Sequence, residues 1–495
     1  MDIAAESKTF CPVPQRKFVL ISAILASALA FIDGSVVSIA TPAIRESLDA
    51  SLIDAQWISN GYMLTLSALI LLGGTVGDRF GLKRVFSVGI GVFVGMSILC
   101  ALAWSAQSLI VFRALQGVGA AFMIPGSLAI ISKAYPKNER GRAIGTWAAA
   151  SAITTAAGPV IAGLVLSLGS PDIWRWIFAV NLPLGGLALW MLTTKVPQDK
   201  PSQKKTLDFA GAVLAIVFLG ALAWGLTGSG GEGGLPTPGR LAFWLLVSLA
   251  AFVAFIAVEA RVQNPVMPLH VFANKRFDAA NLATFCLYFA LSAVLFYLPM
   301  TLIGGWGLSE TEVGLTLVPL AIAIALFSGP VGALADRTGP GILIAIGAAM
   351  VALAYGILAA GMNFNSFWFH ILPSIIFMAF GMALVVAPLS SAVMGSIDDA
   401  DTGTASGVNN AVSRVAGLVA VAAMGGLAAW RYGMFGSAGD FGLPFDGEEQ
   451  ALHQQASNAA MAAVAWFSAG MSAVAALLAL FGLPRSSDST EIQVR

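Results

Sequence analysis

One carboxylate, Asp33, lies in an apolar run from Phe18 to Pro42 that is long enough to cross a lipid bilayer. An ionised carboxylate at that depth costs at least about 2.5–3.5 kcal/mol unless it is neutralised, is paired, or lines a water-filled cavity. Asp33 lies fifteen residues into the run, well beyond its first turns. This depth favours a proton-binding group over the alternative, a side chain that only snorkels to the interface.

A second charged side chain, Arg113, falls inside another apolar run, and it stays protonated in any protein environment. It therefore needs an anion or a wet cavity, unless it snorkels to the nearby interface. Gln116 follows three residues later and shares its helix face. Asp33 is the nearest unpaired acid that we can propose as the partner of Arg113.

Composition excludes most other chemistry. The chain has 495 residues, 58% of them hydrophobic and 11% charged, against about 25% charged in soluble domains. Its net charge of zero gives no support to nucleic-acid binding. The three cysteines and three histidines are scattered, so we expect no metal site, no cofactor and no catalytic cluster, and a membrane enzyme or sensor is disfavoured. The chain is a polytopic membrane protein.

Hydropathy predicts an all-α fold with fourteen membrane spans, and the even number places both termini on one side. Lys and Arg concentrate at the span ends on that side, whereas the opposite ends carry only Arg45, Arg175, Arg240 and Arg431. The positive-inside rule therefore predicts cytoplasmic termini. The predicted spans are 18–42, 57–76, 86–104, 107–133, 143–168, 175–194, 208–227, 240–259, 279–303, 313–335, 340–361, 367–389, 404–428 and 459–483.

The segments between the spans differ in charge. Residues 429–457 form an acidic outer loop, which we interpret as solvated, and 195–207 form a basic linker whose lysines meet lipid head groups. Asp208 and Glu259 are expected to be solvated at helix ends. The predicted domains are a tail (1–17), a six-helix bundle (18–194), a linker with two inserted helices (195–278), a second six-helix bundle (279–483) and a tail (484–495).

A short motif occurs twice. Gly77-Asp78-Arg79-Phe80-Gly81 follows span 2, and Ala335-Asp336-Arg337-Thr338-Gly339 follows span 10. Transporters with two six-helix halves related by an axis along the membrane normal repeat every six spans. Two helices inserted between such halves, spans 7 and 8, account for the observed interval of eight.

Four stretches match motifs of one large superfamily of such two-bundle transporters: 32–42 (IDGSVVSIATP), 74–84 (GTVGDRFGLKR), 112–117 (FRALQG) and 157–163 (AGPVIAG). On these stretches the chain resembles the major facilitator superfamily, specifically its fourteen-helix drug:proton antiporter branch. The resemblance extends over essentially the whole chain. It implies that Asp33 and Arg113 couple transport to protons, with the proton gradient as energy source and no cofactor.

The resemblance also implies a gate at the cytoplasmic helix ends. Asp78 can face the N-terminal end of a neighbouring helix and pair with an arginine such as Arg142. The basic residues also act as topological anchors. The predicted gate residues are Gly74, Asp78, Arg79, Gly81, Lys83, Arg84, Arg142, Asp336 and Arg337.

Span 5 carries small residues at helical spacing and a proline. Small residues let membrane helices approach closely, and Pro159 removes a helix hydrogen bond. Gly145, Gly158, Pro159 and Gly163 therefore predict a smooth, bent helix over which the two bundles rock, although a purely structural packing role stays open.

Aromatic and thioether side chains accept varied ligands because they can repack. The candidates for the substrate cavity are Tyr62, Gln116, Met123, Phe285, Tyr288, Phe289 and Arg414.

These features together predict a proton-coupled antiporter that exports hydrophobic or cationic small molecules by alternating access. Export of an endogenous metabolite, antibiotic or siderophore is the alternative, and a proton-coupled importer is less favoured. The expected setting is the bacterial cytoplasmic (inner) membrane, with lipids, protons and a small-molecule substrate as partners. We expect a functional monomer, with accessory efflux proteins as an open option.

Overall fold

The computed structural model describes residues 10–170, 172–201, 206–227, 235–398, 401–437 and 439–484. Within these ranges fourteen helices are long and apolar enough to cross a membrane. In chain order they are α1 (Val13–Leu48), α2 (Leu52–Phe80), α3 (Leu82–Ala101), α4 (Ala106–Ala134), α5 (Asn138–Leu166), α6 (Arg175–Lys195), α7 (Phe209–Leu226), α8 (Pro238–Glu259), α9 (Lys275–Gly305), α10 (Glu310–Thr338), α11 (Pro340–Phe364), α12 (Phe367–Gly395), α13 (Thr402–Gly433) and α14 (Gln450–Gly482).

Each predicted span corresponds to one helix, but several helices run past their apolar cores. The largest difference concerns the outer loop predicted at 429–457, because α13 continues to Gly433 and α14 already begins at Gln450. Backbone hydrogen bonding carries both helices through polar turns that hydropathy does not detect. The loop is therefore only 434–449.

The helices form two groups of six. Helices α1–α6 pack among themselves, as do α9–α14, and the groups meet through α1 with α9, α2 with α13, and α5 with α10. The sequence repeat has an offset of eight helices, so α2 corresponds to α10 and α5 corresponds to α13. The α2–α13 contact and the α5–α10 contact are therefore related by the pseudo-symmetry. We call the face where α1 begins and α2 ends the termini side, and the opposite face the far side.

Helices α7 and α8 stand between the groups in sequence but beside them in space. Helix α7 packs against α2 and α13, one helix from each group, and α8 packs mainly on α7. Trp57 of α2 and Trp224 of α7 are in aromatic contact, with ring centroids 5.1 Å apart. The inserted pair therefore covers one of the junctions between the bundles.

The expectation that Asp208 and Glu259 are solvated at helix ends is wrong. Their relative exposures are 5% and 3%, because α7 and α8 pack tightly at the termini side. One oxygen of each carboxyl, Asp208 Oδ2 and Glu259 Oε1, has no hydrogen-bond partner, and both lie 2.6 Å from the point where a Cβ on Gly211 would be. The two acids thus face each other within the protein.

The two motif glycines adopt the same backbone conformation. Gly81 after α2 has φ of 96°, and Gly339 after α10 has φ of 80°, a left-handed region that favours glycine. Each N–H donates to the carbonyl oxygen four residues earlier, in Gly77 and Ala335, at 3.0 and 2.9 Å. The repeated sequence therefore makes the same helix ending twice.

Candidate functional site

Asp33 is buried in the first bundle and both of its carboxylate oxygens accept hydrogen bonds. Arg113 Nη1 donates to Asp33 Oδ2 at 2.5 Å, and Gln116 Nε2 donates to Oδ1 at 3.0 Å. Asp33 and Arg113 are each 2% exposed, and Gln116 is fully buried. The predicted neighbours Asp33, Arg113 and Gln116 therefore form one polar cluster that connects α1 and α4.

Arg113 is held on every side. Its Nη1 also donates to Gln116 Oε1 at 2.6 Å, and its Nε donates to the carbonyl oxygen of Ile58 at 3.2 Å. The guanidinium carbon lies 4.4 Å from the ring centroid of Tyr62 and 5.6 Å from that of Phe178, a cation–π arrangement. A buried cation with this many contacts is fixed in position and does not snorkel to the interface.

Two polar residues extend the cluster to α3 and α6. Gln116 Nε2 donates to Ser97 Oγ at 2.9 Å, and Asn181 Nδ2 donates to the same oxygen at 3.2 Å. Sequence reasoning missed both, although each is a polar side chain within or beside an apolar span. Because four helices contribute, a change in the charge of Asp33 reaches most of the first bundle.

The space beside Asp33 is partly open. Gly34 is exposed, and no heavy atom lies within 4 Å of the position a Cβ would take on it. Its helix, α1, contacts α4, α5 and α6 of its own bundle and α9 of the other, so it lies in the interior of the array. The carboxylate is itself occluded here by Arg113 and Gln116, and the open space begins at the next residue.

The predicted gate residues divide into two groups. Gly81 ends α2, and Lys83 Nζ donates to the carbonyl oxygen of Val196 at 2.7 Å, so this lysine holds the end of α6 in the same bundle. Gly74, Arg79, Arg84, Arg142, Asp336 and Arg337 are exposed, and Asp78 is half-buried.

An acid that the sequence did not single out organises this motif. Asp199, from the segment expected to be a basic linker, is 3% exposed. It accepts from the backbone N–H groups of Leu82 and Lys83 at 3.0 and 2.9 Å and from Lys133 Nζ at 2.8 Å. Asp199 therefore caps α3, where a carboxylate also favours the positive end of the helix.

Helix α5 contacts the other bundle through its far-side half. A Cβ on Gly163 would lie 2.5 Å from the carbonyl oxygen of Glu310 in α10, and Gly314 approaches the carbonyl of Pro159 equally closely. Gly158 packs on Ser35 of α1. Glycine is thus required where α5 meets α1 and α10.

The termini-side half of α5 is different. Gly145 is exposed, and a Cβ placed there would meet nothing within 4 Å. The expectation that Gly145 lies at a close helix contact is therefore wrong for this conformation. The close glycine contacts between α5 and the other bundle therefore lie at the far side.

Two of the substrate-cavity candidates are core residues. Met123 is fully buried in the hydrophobic core of the first bundle. Phe289 is 4% exposed and packs on Phe467 of α14, with ring centroids 5.6 Å apart. The structure therefore contradicts both as cavity walls. Phe285 and Tyr288 of α9 and Arg414 of α13 are half-buried, whereas Tyr62 is covered by the Arg113 guanidinium.

Further contacts close the far side between the bundles. Gln56 Nε2 of α2 donates to the carbonyl oxygen of Val421 in α13 at 2.6 Å and to Tyr297 Oη of α9 at 3.2 Å. Arg45 of α1, which is 2% exposed, donates to the carbonyl oxygen of Phe441 in the α13–α14 loop at 2.5 Å. From the sequence, Arg45 was expected only to mark the orientation of the chain in the membrane.

Two six-helix bundles that meet through three helix pairs, with a buried charge cluster in one of them, are typical of a polytopic membrane transporter. The family model of the Major Facilitator Superfamily matches residues 23–274 and 280–494. The chain belongs to this superfamily.

Resistance proteins are among the curated relatives. The Tetracenomycin C resistance and export protein of Streptomyces glaucescens is 32% identical over 412 residues, which is 81% of this chain and 74% of the relative. The Multidrug resistance protein Stp of Mycobacterium tuberculosis (strain CDC 1551 / Oshkosh) is 30% identical over 416 residues, 83% of this chain and 76% of the relative.

The fold is also similar to that of solved transporters. The crystal structure of a D-xylose–proton symporter superposes with a TM-score of 0.66 at 17% identity, covering 95% of this chain and 98% of that one. At this level of identity the similarity concerns the fold alone.

Proposed function

We propose that the protein exports hydrophobic small molecules from the cytoplasm in exchange for protons, by alternating access. The observation that carries the proposal is the buried contact between Asp33 and Arg113. Removing one charge from a buried, hydrogen-bonded pair leaves the other uncompensated, which typically costs 3–5 kcal/mol. Protonation of Asp33 does this reversibly, so it destabilises the paired arrangement and favours reorganisation of the cluster.

The cycle follows from this pair. With the site open to the outside, a proton neutralises Asp33 and its contact with Arg113 loosens. The bundles rock, and the inward-facing carboxylate releases its proton to the cytoplasm and pairs with Arg113 again. Substrate binds in the cavity while Asp33 is ionised and leaves on the outside when the proton arrives. One proton crossing about 100 mV supplies roughly 2.3 kcal/mol.

The geometry of the site limits the classes of substrate that it can bind. Both oxygens of Asp33 already accept hydrogen bonds from Arg113 and Gln116, so a cationic substrate finds no free carboxylate there. We therefore favour hydrophobic over cationic cargo. Export of an antibiotic or another endogenous metabolite is the second candidate, supported by the relative that is named a resistance and export protein.

The proposed location is a bacterial inner membrane. The termini side faces the cytoplasm, because Lys and Arg concentrate at the helix ends on that side. The protein functions as a monomer among lipids, with protons and a small molecule as its ligands. Accessory efflux proteins are not required by the cycle.

The test is a susceptibility and accumulation panel in an efflux-deficient host. Wild type, Asp33→Asn and Arg113→Ala are compared with Asp278→Asn, a matched control at an exposed acid in the first turn of α9. We expect protection and proton-dependent uptake into everted vesicles for wild type and the control, and neither for the two site variants. Uptake in right-side-out cells instead of everted vesicles would identify an importer, and the absence of protection against toxic compounds would favour a metabolite exporter.

A further inference from the structure

Arg414 is a cation in the membrane interior without a counter-ion. It lies on α13, and its Nε is buried with no hydrogen-bond partner. Of the ion pairs that join described residues, none includes Arg414. Intramembrane arginines face cavities or pair with acids, because an uncompensated charge in that environment is costly.

Its position relative to α2 follows from contacts above and below it. Gln56 bonds to Val421 towards the far side, and Leu71 faces Gly407 towards the termini side. Arg414 is midway between residues 407 and 421 of α13. It therefore lies level with the middle of the antiparallel segment 56–71, in the turn next to Tyr62.

The contacts with α9 give the same depth. Asn409 Nδ2 donates to Thr284 Oγ1 at 2.8 Å, and a Cβ on Gly417 would lie 3.1 Å from Ser292 Oγ. Arg414 falls between these contacts, so it is level with Tyr288. Because α13 packs on α2 of the first bundle and on α9 of the second, Arg414 lies at the junction of the two bundles.

The charges of this region do not balance. Asp33 and Arg113 compensate each other, whereas Arg414 adds one positive charge that no described carboxylate meets. The hydroxyl of Tyr62, 2% exposed, is also without a partner. Arg414 is a cationic donor and Tyr62 is a neutral donor at the same depth, and half-buried aromatic side chains lie nearby. This arrangement fits a ligand with an anionic group attached to an apolar body.

We propose that the transport cavity accepts amphipathic organic anions, with the carboxylate, sulfonate or phenolate on Arg414 and the apolar part against Tyr288 and Phe285. This proposal rests on the proposed export function and names its substrate class. It has a consequence for charge movement. Inward transfer of one proton with outward transfer of a monoanion moves two charges per cycle, against one for a neutral cargo.

Two probes that differ mainly in charge test the proposal. 1-Anilinonaphthalene-8-sulfonate and its uncharged counterpart N-phenyl-1-naphthylamine are titrated against the purified full-length protein in detergent, with empty micelles subtracted. Wild type is compared with Arg414→Gln, Arg414→Lys and Tyr62→Phe. Arg431→Gln is the matched control, at the far-side end of the same helix. Size-exclusion profiles verify that each variant is folded.

We expect wild type and the control to bind the sulfonate at least tenfold more tightly than the neutral probe. Arg414→Gln should lower sulfonate affinity about tenfold or more, the range for hydrogen bonds to charged groups, and leave the neutral probe within about twofold. Arg414→Lys should keep part of the preference, since it retains the charge but not the planar fork. Tyr62→Phe should show a smaller loss.

The proposal is overturned if wild type shows no preference for the anion, or if Arg414→Gln retains it in full. If Arg414→Gln does not fold, the smaller preference expected of Arg414→Lys and Tyr62→Phe decides the matter. In proteoliposomes the sulfonate should carry two charges per proton-driven cycle. An Arg414-dependent preference without proton-driven transport would contradict the proposed export function and leave the binding inference standing.

Discussion

The hydroxyl oxygens of Ser167 and Thr311 lie 2.6 Å apart at the far side, where the end of α5 meets the start of α10. The two residues belong to different bundles. Together with the glycine contacts of Gly163 and Gly314, they define a junction that must open whenever the cavity turns towards the far side.

A cysteine pair at this junction should lock the transporter. In Ser167→Cys/Thr311→Cys the sulfur atoms can reach the geometry of a disulfide without moving the backbone far. We expect oxidation to reduce transport to below about a tenth and reductant to restore it, because alternating access needs this contact to separate. Transport and gel mobility are measured before and after oxidation.

Each single-cysteine variant serves as the control and should stay active under oxidant. The native Cys11, Cys100 and Cys286 are buried, so background cross-linking should be low. Full transport by the cross-linked double variant would show that this junction does not open during the cycle.

Glycine at 163 should matter more than glycine at 145. An added methyl at Gly163 meets backbone atoms of Glu310 and Thr311 at 2.5 and 2.8 Å, whereas at Gly145 it meets open space. Overpacking of this kind costs about 1–3 kcal/mol. In the cysteine-pair background, Gly163→Ala should therefore slow cross-linking about fivefold or more.

Gly145→Ala is the matched comparison, since both substitutions gain the same helix propensity, about 1 kcal/mol. It should leave the cross-linking rate within about twofold. Equal rates for the two variants would refute the close contact at Gly163.

Asp199 should stabilise the fold without taking part in transport. Asp199→Ala leaves two backbone donors of α3 and the Lys133 ammonium without their acceptor. Loss of a cap costs about 0.5–2 kcal/mol, and we expect a lower apparent melting temperature in detergent. Asp199→Asn should retain the cap and lose less, and substrate affinity should be the same in all three proteins.

The facing acids of the inserted helices make a further prediction. Two ionised carboxylates that face each other in a buried site disfavour each other, so the Asp208–Glu259 pair is expected to destabilise the fold. Glu259→Gln supplies a permanent donor and should keep or raise the apparent melting temperature. Glu259→Leu should lower it, because the N–H of Met267 loses its acceptor. The opposite order would show that the acids do not interact.

Local sequence patterns predicted most of the architecture. Runs of apolar residues gave one helix for each span, since length and hydropathy are local properties. The repeated motif likewise predicted matching turns, and Gly81 and Gly339 share a positive φ. The ends of the helices could not be predicted as well from hydropathy, because polar turns such as those at the start of α14 are stabilised by tertiary contacts.

Contacts between distant segments account for what was missed. Asp199 lies in a basic stretch, and only the folded chain shows that it caps α3. His453 is one of the three histidines that are scattered in the sequence, yet its Nδ1 lies 2.6 Å from Tyr432 Oη and its Nε2 lies 3.2 Å from the carbonyl oxygen of Gly304. Met123 has a thioether side chain of the kind expected in a substrate cavity, but it packs in the hydrophobic core of the first bundle. No local pattern distinguishes these cases.

The most direct test of the account is the number of protons moved per substrate by Asp33→Asn in proteoliposomes. Proton uptake and substrate flux are recorded together, with substrate counterflow as the measure of alternating access without proton transfer. We expect wild type to couple the two fluxes, and Asp33→Asn to retain counterflow within about threefold while its substrate-dependent proton flux disappears. An unchanged ratio of protons to substrate in Asp33→Asn would contradict the role of Asp33 as the proton-binding group.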